Sequence, residues 1–414
     1  MSARLLERLL GGLIKQGQLA ITYADGRKVA FGTPREGVPD IALRFTDGKV
    51  ARDIVTDPRL GAAEAFMDGR MVIEQGDVMD FISLVQGNRP FEKGIFLRSP
   101  GVLKRFGDRA KHLYRSFNKP GSSKKNVAHH YDIGNDLYRL MLDPEHMQYS
   151  CAYWPREDMT LAEAQEAKLA HIAAKLALSP GQRVLDIGCG WGGMAIFLAK
   201  AAQVEVLGIT LSEEQLALAR ERAEAAGVTD RVSFELVDYR LLAERNETFD
   251  RIVSVGMFEH VGVPQFETFF RTCANLLTAD GVMLMHTIGR LGEPSFTDSF
   301  TDKHVFPGGY IPALSETVAA SEKVRLAITD VEVLRFHYAR TLREWYKRVV
   351  DQREAIIEMF DQRFYNMWTF YLAGATSSFE NGGMCNFQIQ YSRNRHTLPV
   401  TRDYMVEAES RLLG

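Results

Sequence analysis

The run Asp186-Ile-Gly-Cys-Gly-Trp-Gly-Gly193 sets a carboxylate two residues ahead of a series of glycines. Glycine lets the backbone turn sharply and lets a ligand approach it closely. Where such a loop joins a strand to a helix, it lies at the carboxyl end of a sheet, the place at which open α/β folds bind ligands. Asp186 is placed either to hold that loop or to meet a cationic ligand. Further on, Val237-Asp238-Tyr239 ends a strand with a carboxylate that can accept from an adenine amino group. A dinucleotide enzyme wants an acidic residue at the end of its second strand to grip ribose. Here Ile209-Thr-Leu-Ser212 stands instead, so Thr210 and Gln215 are left to share that task and the dehydrogenase reading is the weaker one.

The elements that position these residues follow from apolar periodicity. Val184-Leu-Asp-Ile187, Val204 to Ile209, Val232 to Val237, Phe249 to Val255 and Gly281 to His286 are short apolar runs, and amphipathic helical segments at Met194–Ala202 and Glu213–Ala226 alternate with the first of them. Apolar strands alternating with helices imply a parallel sheet covered on both faces. The segment 290–345 is too long for one connection and is read as an inserted helical cap over the carboxyl edge of the sheet. In this order the elements and the glycine loop resemble the class I S-adenosylmethionine-dependent methyltransferase fold, an α/β Rossmann-like sheet.

Longer motifs flank the loop. His129-His-Tyr-Asp-Ile-Gly-Asn-Asp-Leu-Tyr138 and Tyr149-Ser-Cys-Ala-Tyr-Trp154 precede it; Phe258-Glu-His-Val-Gly262, His286-Thr-Ile-Gly289 and Phe306-Pro-Gly-Gly-Tyr-Ile-Pro312 follow it. Together they resemble the cyclopropane-fatty-acyl-phospholipid synthase family, which includes the mycolic acid cyclopropane synthases. That resemblance implies transfer of a methylene group from S-adenosylmethionine to the cis double bond of an unsaturated phospholipid acyl chain. The carbocation formed on the way must be kept from water. It further implies a bound bicarbonate as the base, held at positions matching Cys151, Glu259, His286, the backbone of Ile288, and Tyr338. For the cofactor it assigns Tyr149, Ser150, the turn at Gly188 and Gly190, Thr210 and Gln215, then Asp238 and Tyr239. The same first step without ring closure, giving a methylene or methyl-branched chain, stays open. So do a methyltransferase acting on a soluble amine or alcohol, and a silent lipid-binding module that kept the fold.

Each of these residues also has a plainer use. Cys151 taken alone is a small buried apolar group, and Glu259 alone caps or solvates a helix. His129 and His130 are adjacent and so point apart, without a ligand cluster nearby, which does not favour a metal. Phe266, Phe269, Phe270, Phe306, Tyr310, Phe364, Trp368 and Tyr371 suit core packing one by one, and some of them suit an acyl channel. Where many members of the family carry a cysteine after the Tyr-Leu of a late helix, this chain has Ala375; Cys385 is read as structural.

The 414 residues are 46% hydrophobic and 25% charged, with net charge −3 and four cysteines. Neither nucleic acid nor a disulfide framework is expected from this, and a cytoplasmic setting suits it. The N-terminus shows no signal-peptide pattern, nor is there a run of about 18 apolar residues to span a bilayer. The expected organisation is a small α+β module over 1–95 for membrane docking or dimerisation, a basic linker over 96–125, and a catalytic domain over 126–414. An enzyme so built works peripherally on the inner face of the membrane, as a monomer or a homodimer. The Leu-rich helix at the start either packs on the core or lies on a bilayer. Replacing Lys104, Arg105, Arg109 and Lys111 by Gln is expected to weaken binding to anionic vesicles by about 1 kcal/mol per residue. Flotation at low and high salt checks this, and a binding curve indifferent to both changes rejects it.

Overall fold

The computed structural model describes residues 2–93 and 134–413. The basic linker, His129 and His130 lie outside those residues. The described chain separates into two compact units: 2–93 with Thr297–Pro307 and Leu342–Met384, and 134–296 with Gly308–Thr341 and 385–413. Residues 290–345 are therefore shared between the two.

In the first unit, strands β1 (Gly17–Thr22), β2 (Lys28–Thr33), β3 (Ile41–Phe45) and β4 (Met71–Gln75) form a sheet ordered β2-β1-β3-β4. β1 and β2 make an antiparallel hairpin, whereas β1 and β3 run parallel. Alternation puts Leu19 and Ile21 inward. β4 falls in a segment that reads as helical in sequence. Antiparallel pairing with β3 outweighs its weak local signal. In the opening helix, Ser2–Leu13, Leu6 is buried while Leu5 and Leu9 are exposed. Helix Gln362–Glu380, capped by Asp361 through the Phe364 N–H at 2.6 Å, packs on helices Pro58–Met67 and Val78–Gly87. Its Phe364, Trp368 and Tyr371 recur at helical spacing and continue into Phe360 and Phe306, with ring centroids 4.0 to 5.9 Å apart.

The second unit is built on seven strands: β5 (Arg183–Ile187), β6 (Glu205–Thr210), β7 (Val232–Leu236), β8 (Phe249–Val255), β9 (Leu277–Arg290), β10 (Ala327–Leu334) and β11 (Met384–Ser392). Their order is β10-β11-β9-β8-β5-β6-β7. β7, β6, β5, β8 and β9 are parallel neighbours, and β10 pairs antiparallel with β11. Cores lie on both faces, one around Phe258, Phe269, Phe270 and Tyr391, the other around Leu169, Phe197 and Val253. This is the class I methyltransferase architecture expected from the strand rhythm. β5 is the strand at which the chain order reverses, and the glycine loop leaves its carboxyl end there.

Three glycines of that loop are sterically required, Gly192 among them (φ 80°), where a Cβ would sit 2.6 Å from the Phe234 ring. At Gly188 (φ 83°) a Cβ would sit 2.9 Å from the Met257 Cβ, and at Gly193 one would sit 2.0 Å from the His146 carbonyl oxygen. The segment around His146 thus lies directly on the loop. Gly193→Ala is expected to cost about 1–3 kcal/mol, the usual range for overpacking, and to weaken cofactor binding by displacing that segment. Thermal denaturation and calorimetry check this; an unchanged melting temperature overturns it.

Candidate active site

Register places the candidate residues along one edge of the sheet. Val255 stands beside His286, Asp186 beside both Gly208 and Val253, and Thr210 beside Leu236. Asp186, Gly188, Gly190, Thr210, Asp238, Glu259, His286 and Ile288 therefore lie at or just beyond the carboxyl ends of five neighbouring parallel strands. Neighbouring strands are ~4.8 Å apart, so Thr210 on β6 and His286 on β9 are separated by roughly 14 Å across the sheet.

At the cofactor end, Asp186 is buried and its Oδ2 has no hydrogen-bond partner. Burial lifts its carboxyl to about 7, against the pull of Lys168. Thr210 donates to Gln215 Oε1 at 2.9 Å, and Ser212 caps the following helix through the Gln215 N–H at 3.3 Å. Thr210 and Gln215 are thus one unit at the end of β6. Asp238 accepts from Arg240 at 2.9 and 2.6 Å, a partner that the sequence reading omits. Tyr239 packs on Phe269 in the core, ring centroids 5.5 Å apart.

Tyr149, Ser150 and Cys151 arrive on a loop held from below. The Asp143 carboxylate accepts from the N–H groups of His146, Met147 and Gln148 at 2.5 to 3.2 Å and sets the turn. Gln165 donates to the carbonyls of Gln148 and Ser150, and Lys168 donates to Ser150 Oγ at 3.0 Å and to Gln148 Oε1. Tyr149 stacks edge-on to Tyr138 at 5.1 Å. Cys151 is fully buried, and burial pushes its thiol well up, so it stays protonated. Tyr338 is buried on helix His337–Asp351, whose first turn is tied to the same loop: Thr341 Oγ1 accepts from the Ala152 N–H and the Trp154 indole, and His337 Nδ1 from the Trp154 N–H. The turns that carry Cys151 and Tyr338 are thereby joined.

Glu259 sits in the short 3-10 turn Phe258–His260. Its Oε1 accepts from the Ile288 N–H at 2.6 Å, while Oε2 is buried without a partner. Burial raises its carboxyl to about 7 against the pull of the Ile288 N–H. His286 turns away from this pair, its two ring nitrogens facing Asn386 and Gln388 on β11 at 3.3 and 3.2 Å. Burial, with Lys168 and Lys175 next, depresses the imidazolium far below the ordinary range. Among the described residues no group of three or more His, Cys, Asp and Glu is placed to hold a metal ion.

The donor set fits S-adenosylmethionine. It combines an orphaned buried carboxylate, a glycine cradle, hydroxyl and amide groups at the end of β6, and a carboxylate after β7. Comparison with known proteins agrees. A family profile described as "Mycolic acid cyclopropane synthetase" matches residues 118–389. The chain is 38% identical to the cyclopropane-fatty-acyl-phospholipid synthase of Escherichia coli K12 over 85% of its own length and 87% of that protein. The chain belongs to this family. It is also 40% identical to a "Probable fatty acid methyltransferase" of Pseudomonas putida, covering 67% of this chain and 73% of that one. The mycolic acid cyclopropane synthase CmaA1, solved with SAH and CTAB, superposes with a TM-score of 0.61 at 34% identity, covering 65% of this chain and 98% of that one. Like the rest of its family, the chain is an S-adenosylmethionine-dependent methyltransferase.

Lys168, Lys175, Asn386 and Gln388 are absent from any motif-based set. Their signal is pattern: Gln165, Lys168, His171 and Lys175 form one stripe on a buried, alanine-rich helix, and amides alternate along β11. Burial holds the Lys168 ammonium down to about 7 from its ordinary 10.5. The folded state therefore resists this proton. The resulting destabilisation is complete below pH 7 and disappears as pH rises from about 7 to 10.5. Relative to Lys168→Met, the parent is expected to gain stability across that window. Urea midpoints of both proteins at about pH 6.5 and about pH 9.5 test it, and curves that stay parallel reject it.

Proposed function

We propose that the chain transfers a methylene unit from S-adenosylmethionine to the cis double bond of an unsaturated phospholipid acyl chain and closes a cyclopropane ring. The observation that carries this reading is Glu259: a buried carboxylate, fixed through one oxygen by the Ile288 N–H, with its other oxygen unpartnered. When bound, S-adenosylmethionine supplies an electrophilic methyl group, and bicarbonate supplies a base for a proton of that new methyl. Tyr149, Ser150, Asp186, Gly188, Gly190, Thr210, Gln215, Asp238 and Tyr239 hold the cofactor. The free oxygen of Glu259 accepts the hydroxyl of bicarbonate, which requires the ionised carboxylate. Tyr338 and the Ile288 N–H that also fixes Glu259 would orient its oxygens, His286 would join them by giving up its contact with Asn386, and the un-ionised Cys151 would close the wall. Burial of Cys151, Glu259, His286 and Tyr338 keeps water from a carbocation that would otherwise end as an alcohol.

The relatives support this reading by name, as a cyclopropane-fatty-acyl-phospholipid synthase and a cyclopropane synthase. The "Probable fatty acid methyltransferase" supports a second reading, methylation of the alkene without ring closure. We place the enzyme on the cytoplasmic membrane face. The module over 1–95 then serves docking or homodimer formation. No helix among the described residues is long and apolar enough to cross a membrane.

Purified protein, labelled S-adenosylmethionine and vesicles of cis-unsaturated phospholipid are expected to yield a lipid heavier by one methylene, with upfield cyclopropane protons in NMR. Retained alkene or vinylidene signals at the same mass select the second reading, and no mass gain rejects both. Glu259→Gln is expected to lower turnover by about 10²–10⁴-fold with cofactor affinity unchanged. With its carboxyl at about 7, parent turnover at fixed bicarbonate rises with pH through that value, and the variant loses this limb. Full activity in the variant removes Glu259 from the site.

A further inference from the structure

His286 is enclosed by side chains that the family motifs do not mention. β11 alternates amides with apolar residues, so that Asn386, Gln388 and Gln390 share one face while Phe387, Ile389 and Tyr391 fill the core on the other. Lys175 Nζ lies 2.7 Å from Gln388 Oε1, and Gln388 Nε2 lies 3.2 Å from His286 Nδ1. An ammonium group has only donors, so the Gln388 atom facing it is the oxygen. The amide's NH2 end must then face His286, and Nδ1 must present a lone pair. A neutral imidazole carries one proton, which leaves it on Nε2.

We infer that Lys175 and Gln388 are positioning residues that lock His286 as the neutral tautomer with its proton on Nε2, so that the ring donates a hydrogen bond there and does not act as a base. The orientation is fixed from further out. Lys175 is also paired with Glu332, which accepts from His171 at 2.7 Å; His171 reaches Glu409 at 2.8 Å with its other nitrogen. Burial opposes the charge on Glu332, yet hydrogen bonds and charge from His171 and Lys175 hold its carboxyl down to about 2. Lys175 is thus kept close to Gln388 by a carboxylate that stays ionised. On the far side of the ring, Asn386 Nδ2 is 3.3 Å from His286 Nε2 while Asn386 Oδ1 is buried without a partner. Exchanging the two ends of that amide gives the orphaned oxygen the Nε2 proton. The Gln388 side sets the tautomer, and the Asn386 side accommodates it once its amide ends are exchanged. The catalytic meaning of the lock rests on the role proposed for His286 above; the lock itself does not.

The test is 15N NMR of the full-length protein labelled at histidine, with His286 assigned by the signal lost in His286→Ala. The parent is expected to show a pyridine-like Nδ1 and a pyrrole-like Nε2. Gln388→Glu replaces the donor by an acceptor, so the pattern is expected to reverse and turnover to fall about 100-fold, the lower end of what a correctly placed proton contributes, with KM for S-adenosylmethionine unchanged. In Lys175→Met the Gln388 amide is free to turn, and signals of both tautomers are expected, which keeps the test open if the glutamate variant folds poorly. A parent with its proton on Nδ1, or an imidazolium, overturns the inference. So does a pattern that neither variant alters. Reversal in Gln388→Glu with full turnover upholds the lock and removes His286 from the reaction proposed above.

Discussion

The second unit depends on one buried helix that carries ionisable groups into the interior. Helix Leu161–Lys175 buries Gln165, Lys168, His171 and Lys175 on a single stripe. Taking an amine or imidazolium out of water is unfavourable by several kcal/mol unless it is matched by partners. Each member of the stripe therefore dictates what must lie opposite it. Gln165 and Lys168 require the oxygens of Gln148 and Ser150, which fixes the loop that brings in Tyr149 and Cys151. His171 requires Glu332 and Glu409, which draws β10 and the helix Asp403–Leu412 onto it. Lys175 requires Glu332 and Gln388 and so sets β11 in place. Removing any one partner leaves an uncompensated buried group, so the stripe is more consequential for arrangement than for net stability.

The same logic separates two kinds of buried acid. Glu332 is surrounded by donors and remains a carboxylate at every ordinary pH. Asp186 and Glu259 are buried with an oxygen each left over, and burial carries both to about 7. Unpartnered buried polar atoms are few in native proteins and call for a reason. A ligand that brings the missing donor is the simplest one, and the function proposed above supplies such a ligand at both residues.

Much of the fold was legible because strand and loop chemistry is local. The runs Val184–Ile187 and Phe249–Val255 are apolar at nearly every position, as a strand covered on both faces must be, and the glycine loop can sit in only a few contexts. β4 was not legible, because five residues with weak alternation are held by the strand beside them. The site divides in the same way. Asp186, Thr210 and Asp238 stand at or near strand ends and can be picked out by counting along the chain, whereas Lys168 and Gln388 act across distances that spacing does not encode. The assignments to Glu259, His286 and Tyr338 came from motif resemblance. Composition alone would have made each of them an ordinary buried polar residue.

One property of the sheet bears on how the protein comes into being. β9 precedes β11 by almost a hundred residues in the chain, yet β11 lies between β9 and the edge strand β10. While the polypeptide is still emerging from the ribosome, β9 has an open edge and His286 lacks both of its amide neighbours. Contacts of such long sequence separation form slowly, and an uncovered strand edge invites pairing with other chains. A nascent chain stalled before Met384 would therefore present an unfinished sheet to the cell's quality control, and competence for chemistry would come only with the last tenth of translation.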